Sequence, residues 1–169
     1  KAEIVREIFR RLLESSRRFG FDFSTAFQGN VFAYDIDEAK IASCRYRISE
    51  LGLSVPLDGN IRQADFLSAD IRSFDVVVGN PPYIRYEQIP ADLLSSYKQQ
   101  FHTFHYRADL YILFFEKTLK HLNPRGRHCF ICSNRWLKNE YGKKLRGWIA
   151  QSFRLESIVS LEKATDAFQ

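Results

Sequence analysis

Methionine does not occur among the 169 residues, and cysteine occurs only three times, as Cys44, Cys129 and Cys132. A chain that opens on Lys1 and holds no methionine reads as part of a longer translation product. The odd cysteine count argues against the disulfide framework of a small secreted domain. No apolar run approaches the roughly 18 residues of a membrane helix, and the opening residues lack the form of a secretory signal. The expected compartment is therefore the cytoplasm, with no membrane partner. Repeats, low-complexity stretches and linkers are lacking too, so residues 1–169 are expected to form one domain with no second beside it.

Charge is only mildly lopsided, with 25 Lys and Arg against 20 Asp and Glu for a net +5. That excess is compatible with a polyanionic partner but does not require one. Cys129 and Cys132 form a CxxC beside His128, the spacing of half a zinc site. A second ligand pair is missing from the sequence, and residues 128–133 read as a buried strand. Free core thiols, and no metal, are expected.

What is present alternates between two periods. Ile4, Val5, Ile8, Phe9, Leu12 and Leu13 recur at helical spacing over residues 1–18. Residues 19–30 read as a loop, and 31–34 as a short strand ending at Asp35. A helix is expected over 38–51, stopped by Gly52. Strands follow over 61–64 and 74–78, the latter a continuous β-branched run of the kind buried on both faces. Helices are expected over 90–100, 109–122 and 141–151, with strands over 127–133 and 153–161. Strands alternating with helices imply an α/β fold with a mostly parallel sheet and helices on both faces.

Ligands of such sheets bind where the strands end. Three successive strands here end in residues able to do chemistry: Asp35-Ile36, Asp65-Phe66 and Asn80-Pro81-Pro82-Tyr83. In the last, two prolines fix φ and remove two backbone donors. The Asn80 side-chain oxygen and the Pro81 carbonyl could accept both hydrogens of one amino group, and Tyr83 offers a ring to stack on the group bearing it. Holding both hydrogens localises the nitrogen lone pair and stabilises the charge that develops as a methyl group arrives. A plain Pro-Pro turn is the alternative. Asp35 can accept both hydroxyls of a ribose, with Ile36 against an adenine face, or can cap the following helix, a role Asp37 also suits. Asp65 can accept from an adenine amine with Phe66 stacked beside it, or can sit in a solvated turn.

The succession Phe74-Asp75-Val76-Val77-Val78-Gly79-Asn80-Pro81-Pro82-Tyr83-Ile84 resembles the catalytic motif of the amino-methyltransferases. Its continuation narrows the match: Ala108-Asp109-Leu110-Tyr111 with Phe114 and Glu116, residues 126–133, Trp136-Leu137, Tyr141-Gly142 and Leu145-Arg146. From Val31 onward the order is similar to that of the adenine-specific DNA methyltransferases of restriction–modification systems, including those fused to a nuclease. The resemblance implies an S-adenosylmethionine-dependent, Rossmann-like fold and methyl transfer to the N6 amino group of adenine in double-stranded DNA. It gives Asn80, Pro81, Pro82 and Tyr83 the catalytic roles and Asp35, Ile36, Asp65 and Phe66 the cofactor. It also implies base flipping, at a cost of about a few kcal/mol that stacking on Tyr83 helps offset.

The family's glycine-rich cofactor loop and first strand have no counterpart in residues 1–169, which therefore read as a partial catalytic domain. The remainder of a parent protein, or a second copy, is expected as a partner. Two other readings share these motifs. One is an amine methyltransferase acting on protein glutamine or RNA adenine; the other is a catalytically silent interaction subunit of the same fold. Arg135, Lys138, Lys143, Lys144 and Arg146 could touch phosphates or simply form a solvated face. His102, His105 and Arg107 lie in a segment that could face DNA.

Overall fold

The computed structural model describes residues 2–51, 55–105 and 107–161. Its contacts divide the chain into two compact units, Lys1–Asn80 with His121–Ile131, and Pro81–Lys120 with Cys132–Gln169. The division falls at the Asn80–Pro81 peptide bond and again after Lys120 and Ile131.

In the first unit, helix α1 (Ala2–Phe19) turns an apolar stripe inward, and Phe9 on that stripe is wholly buried. It meets a second helix, α2 (Phe23–Asn30), in a segment expected to be loop. Asp22 caps α2 by accepting from Thr25 N at 2.8 Å, and Phe23 and Phe27, one turn apart, both pack edge-on against Phe9. Burial of those two rings outweighs the weak helix propensity of Ser24, Thr25 and Gly29. Strand β1 (Ala33–Asp35) follows, then helix α3 (Glu38–Ser49), capped by Asp37, whose carboxylate accepts from Ala39 N and Lys40 N. The proposed stop at Gly52 lies outside the described residues. Ile41, Cys44 and Ile48 of α3 join Phe9, Phe23, Phe27 and Ile61 in one core.

Strand β2 (Ile61–Gln63) pairs in parallel with β1, setting Asp35 opposite Gln63. Strand β3 (Phe74–Gly79) pairs in parallel with β4 (Leu122–Phe130). The result is two separate two-stranded parallel ladders among the described residues, not one continuous sheet. An α/β architecture stands, but the expected double burial of β3 does not: Val76 is 61% and Val78 41% exposed. Among the described residues, β3 has one neighbouring strand, β4. Phe32, just before β1, and Phe74, which opens β3, are in ring contact, with Arg72 over both. The β4 ladder begins earlier than expected, at Leu122, and is irregular between Phe74 and Val76, where Arg125 adopts a φ of 66°.

The second unit contains α4 (Ala91–Gln100), α5 (Tyr111–Lys120), the short α6 (Arg135–Lys138) and α7 (Lys143–Ser152). Helix α5 is buried along most of its length, including Glu116. Gly142 admits no side chain: a Cβ there would sit 2.0 Å from the Trp136 carbonyl oxygen and under 3 Å from two further backbone atoms. Gly142→Ala is expected to destabilise the protein by about 1–3 kcal/mol, since a backbone clash relaxes poorly. Differential scanning calorimetry would read this as a Tm several degrees lower; an unchanged Tm would refute it.

Two further expectations fail. Among the described residues, 153–161 pair with no strand, and Leu155, Ile158 and Val159 are all more than half exposed. Cys129 is an exposed residue of β4, so only Cys44 of the three is a buried core thiol. Alternation along β4 turns Cys129 outward between half-buried His128 and Phe130. Among the described residues, none of the helices is long and apolar enough to cross a membrane, and no group of three His, Cys, Asp or Glu could hold a metal.

Candidate functional site

Parallel pairing of β1 with β2 brings two of the predicted acidic strand ends to one edge. Ala64 N donates to the Asp35 carbonyl at 2.9 Å, immediately before Asp65. Asp35 Oδ1 accepts from Asp37 N at 3.1 Å, which orients the carboxylate, while the capping of α3 is done by Asp37. Of the two candidates that sequence left open for the cap of α3, Asp37 fills the role. Asp35 borders a cavity of about 470 Å³ lined also by Tyr34, Ala39, Lys40 and Ser43. Ile36 is 69% exposed beside it in sequence.

Asp65 is more occupied. Its Oδ1 accepts from Leu67 N at 3.1 Å and its Oδ2 from the Ser68 hydroxyl at 2.5 Å, closing a turn. Phe66 packs at a tilt against Tyr34, with centroids 5.6 Å apart, and so joins the ends of β1 and β2.

Strand β3 delivers Asn80. Gly79, the last strand residue, lets the backbone approach Phe130: a Cβ there would stand 3.1 Å from the ring. Asn80 Oδ1 is shielded from solvent and has no hydrogen-bond partner among the described residues. A buried amide oxygen left without a donor costs roughly 1–3 kcal/mol, so its retention needs a reason. An acceptor kept ready for an incoming donor is such a reason.

The second unit holds the rest of the motif. Pro81 is buried, and Tyr83 is 54% exposed with its ring edge-on to Tyr111 at 6.2 Å. Leu110 N donates to the Ile84 carbonyl at 2.8 Å, tying the end of the motif to the start of α5. Behind Tyr83, the buried Tyr111 hydroxyl lies 3.0 Å from that of Tyr141, which donates to Asp109 Oδ2 at 3.1 Å. The carboxylate can only accept, so the proton order runs from Tyr111 to Tyr141 to Asp109. Burial pushes the Tyr83 hydroxyl above its usual pKa, with Cys132 adding to the rise, so the ring stays neutral.

The other flagged residues split. Arg146 donates to the carbonyls of Trp136 and Asn139 at 2.6 and 2.8 Å, which makes it a structural joint. Lys143 pairs with Glu140 at 3.6 Å, while Arg135, Lys138 and Lys144 are exposed. His102 contacts buried Glu116 at 2.7 Å, and Arg107 pairs with Glu87. Sequence reasoning passed over Lys98, Tyr86 and Phe104, which the fold gathers around a small cavity with Arg107. Their only signal was aromatic and basic residues interleaved just after the motif.

Residues 29–168 match the Eco57I restriction-modification methylase family. The Type II methyltransferase M.XhoI of Xanthomonas vasicola is 40% identical over 173 residues, covering 95% of this chain and 32% of that protein. M.PaeR7I of Pseudomonas aeruginosa is 47% identical over 102 residues, or 60% of this chain and 18% of that one. The Type II restriction enzyme and methyltransferase RM.Eco57I of Escherichia coli is 34% identical over 90 residues, 52% of this chain and 9% of that one. The chain thus spans about a third or less of the length of these curated relatives. It belongs to the Eco57I restriction-modification methylase family.

Proposed function

We propose that the protein containing this chain transfers a methyl group from S-adenosylmethionine to the N6 amino group of adenine in double-stranded DNA, as the modifying activity of a restriction–modification system. The observation that carries this reading is the Asn80 Oδ1: a buried acceptor without a donor, at the end of a β-branched strand and followed by Pro-Pro-Tyr. The names of the relatives, all Type II methyltransferases, support the reaction class.

The residues present fit the methyl donor at Asp35, whose carboxylate lies at a strand end on the rim of a cavity. Asp35 would accept the ribose hydroxyls and Ile36 would cover an adenine face. Asp65 can add a hydrogen bond from the adenine amine beyond its two present partners, since a carboxylate has about four lone-pair sites. The cofactor supplies an electrophilic methyl group. Asn80 Oδ1 and the Pro81 carbonyl hold the two amine hydrogens of the target base, which turns the nitrogen lone pair out of conjugation. Transfer would break the donor's S–CH₃ bond as N–CH₃ forms; both acceptors would stabilise the positive charge on nitrogen, and the departing proton would pass to water. Pro82 keeps the loop rigid, and Tyr83 stacks on the flipped base.

Asp35→Ala is expected to weaken cofactor binding about 10- to 100-fold, the value of losing charged hydrogen bonds. Isothermal titration calorimetry on the full-length protein reads this, and unchanged affinity would remove Asp35 from the cofactor site. The reading as a whole is tested by incubating that protein with labelled S-adenosylmethionine and unmethylated DNA of mixed sequence, then digesting the product to nucleosides. Label in N6-methyladenine supports it. Label confined to protein or RNA, or absent throughout, overturns it.

A further inference from the structure

The cavity formed by Tyr86, Lys98, Phe104 and Arg107 takes no part in the chemistry above. It has a volume of about 170 Å³ and lies wholly within the second unit. Tyr86 belongs to a 3₁₀ turn, Tyr86–Gln88, that begins three residues after Tyr83. Its ring and that of Phe104 are half-buried, 6.0 Å apart and tilted by 37°, so they make an apolar wall and leave no slot for a base between them. Lys98 Nζ stands 5.6 Å from the centre of the Tyr86 ring and has no carboxylate partner among the described residues. Arg107 pairs with Glu87, the carboxylate in this cluster, but both side chains are at least half exposed. Such a pair is worth little in water, and the guanidinium has donors to spare.

The wall is held in place from behind. Glu116, wholly buried, accepts from His102 N at 3.1 Å and from Thr103 N at 2.8 Å, the two residues before Phe104. Phe104 is therefore seated by a fixed backbone. A cation over one ring and a second lining the same cavity suit a phosphodiester with its sugar against the rings.

We propose that this cavity is a DNA-backbone subsite, in which Lys98 and Arg107 hold a phosphate flanking the target adenine while Tyr86 and Phe104 support the adjoining sugar. The proposal rests on the DNA reading above and adds a residue set to it. The subsite acts on binding and not on the methyl-transfer step.

The test uses the full-length protein with the Lys98→Gln/Arg107→Gln pair, and separately Tyr86→Ala, each checked for unchanged Tm. Fluorescence anisotropy with a labelled mixed-sequence duplex should show Kd raised about 10-fold in the double variant. The slope of log K against log salt should become shallower by about 1, the value for one lost phosphate contact. KM for DNA should rise, while kcat at saturating DNA stays at the wild-type value. Tyr86→Ala should raise Kd without altering the salt slope. Wild-type Kd and salt slope in a double variant of an enzyme that does methylate DNA would overturn the subsite alone. A wild-type protein that methylates no DNA would overturn the reading beneath it, and the subsite with it.

Discussion

Asn80→Ala in the full-length protein is expected to lower the rate of methyl transfer at saturating DNA and cofactor by about 10²–10³-fold, the usual effect of deleting one preorganised transition-state contact. In this case the deleted group is an acceptor. The amine of adenine has little nucleophilicity while its lone pair is delocalised, and that lone pair is freed only if both hydrogens are held out of the ring plane. On the proposed mechanism, with Asn80 shortened the Pro81 carbonyl would hold one hydrogen and the other would be left to water. Charge developing on nitrogen then loses half of its support. Because Asn80 Oδ1 has no partner among the described residues, the substitution removes an unsatisfied buried oxygen, and folding stability should be unchanged or slightly higher. That combination separates the chemical role from a structural one. A fall in kcat accompanied by a matching fall in Tm would count against it, as would kcat within a few-fold of wild type. Asn80→Asp keeps an acceptor oxygen and should retain more activity than Asn80→Ala.

The second large effect is expected at Glu116. Its side chain is 0% exposed and receives His102 N, Thr103 N, the Thr103 hydroxyl at 2.6 Å and Lys120 Nζ at 2.6 Å. Glu116→Ala leaves the buried Thr103 donors without an acceptor and releases half-exposed Lys120 to water, at an expected cost of about 3–5 kcal/mol. Burial alone would raise the Glu116 pKa, but the bonds from Lys120, Thr103 and His102 outweigh it, and the net shift is below the ordinary value of 4.5. A depressed folded-state pKa means that the stabilisation is complete above the unfolded-state value. It is then lost as pH falls through the folded one. Urea midpoints measured from pH 7 to pH 3 should therefore decline for the wild type below about pH 4.5 and decline less steeply for Glu116→Gln. Parallel curves for the two proteins would refute the assignment.

Legibility from sequence followed periodicity where one element dominated its surroundings. Helix α3, strand β3 and helix α5 were readable from their runs and spacing of apolar residues, with Asp37 as the cap of α3. Helix α2 was not, since Ser24, Thr25 and Gly29 resemble a loop. Asp22 three residues before Thr25, with Phe23 and Phe27 one turn apart, was the available signal. Residues 153–161 have the composition of a strand, yet pairing depends on a neighbour that composition does not provide. At the candidate site, local chemistry was enough to propose Asn80 to Tyr83. The seating of Phe104 by Glu116 and the proximity of Lys98 to Tyr86 join residues separated by up to 14 positions and required the tertiary structure.

The one-sided pairing of β3 has a consequence for the deuterium labelling of its amides. A strand with a neighbour on one side directs alternate N–H groups into the ladder and the rest away from it. Along Phe74–Gly79 slow and fast exchange should therefore alternate from residue to residue. Should another segment of the full-length protein lie along the second edge, the fast positions would become slow and the alternation would vanish. Residue-resolved exchange rates would then distinguish a strand with one covered edge from a strand in the middle of a sheet, in solution and without a ligand.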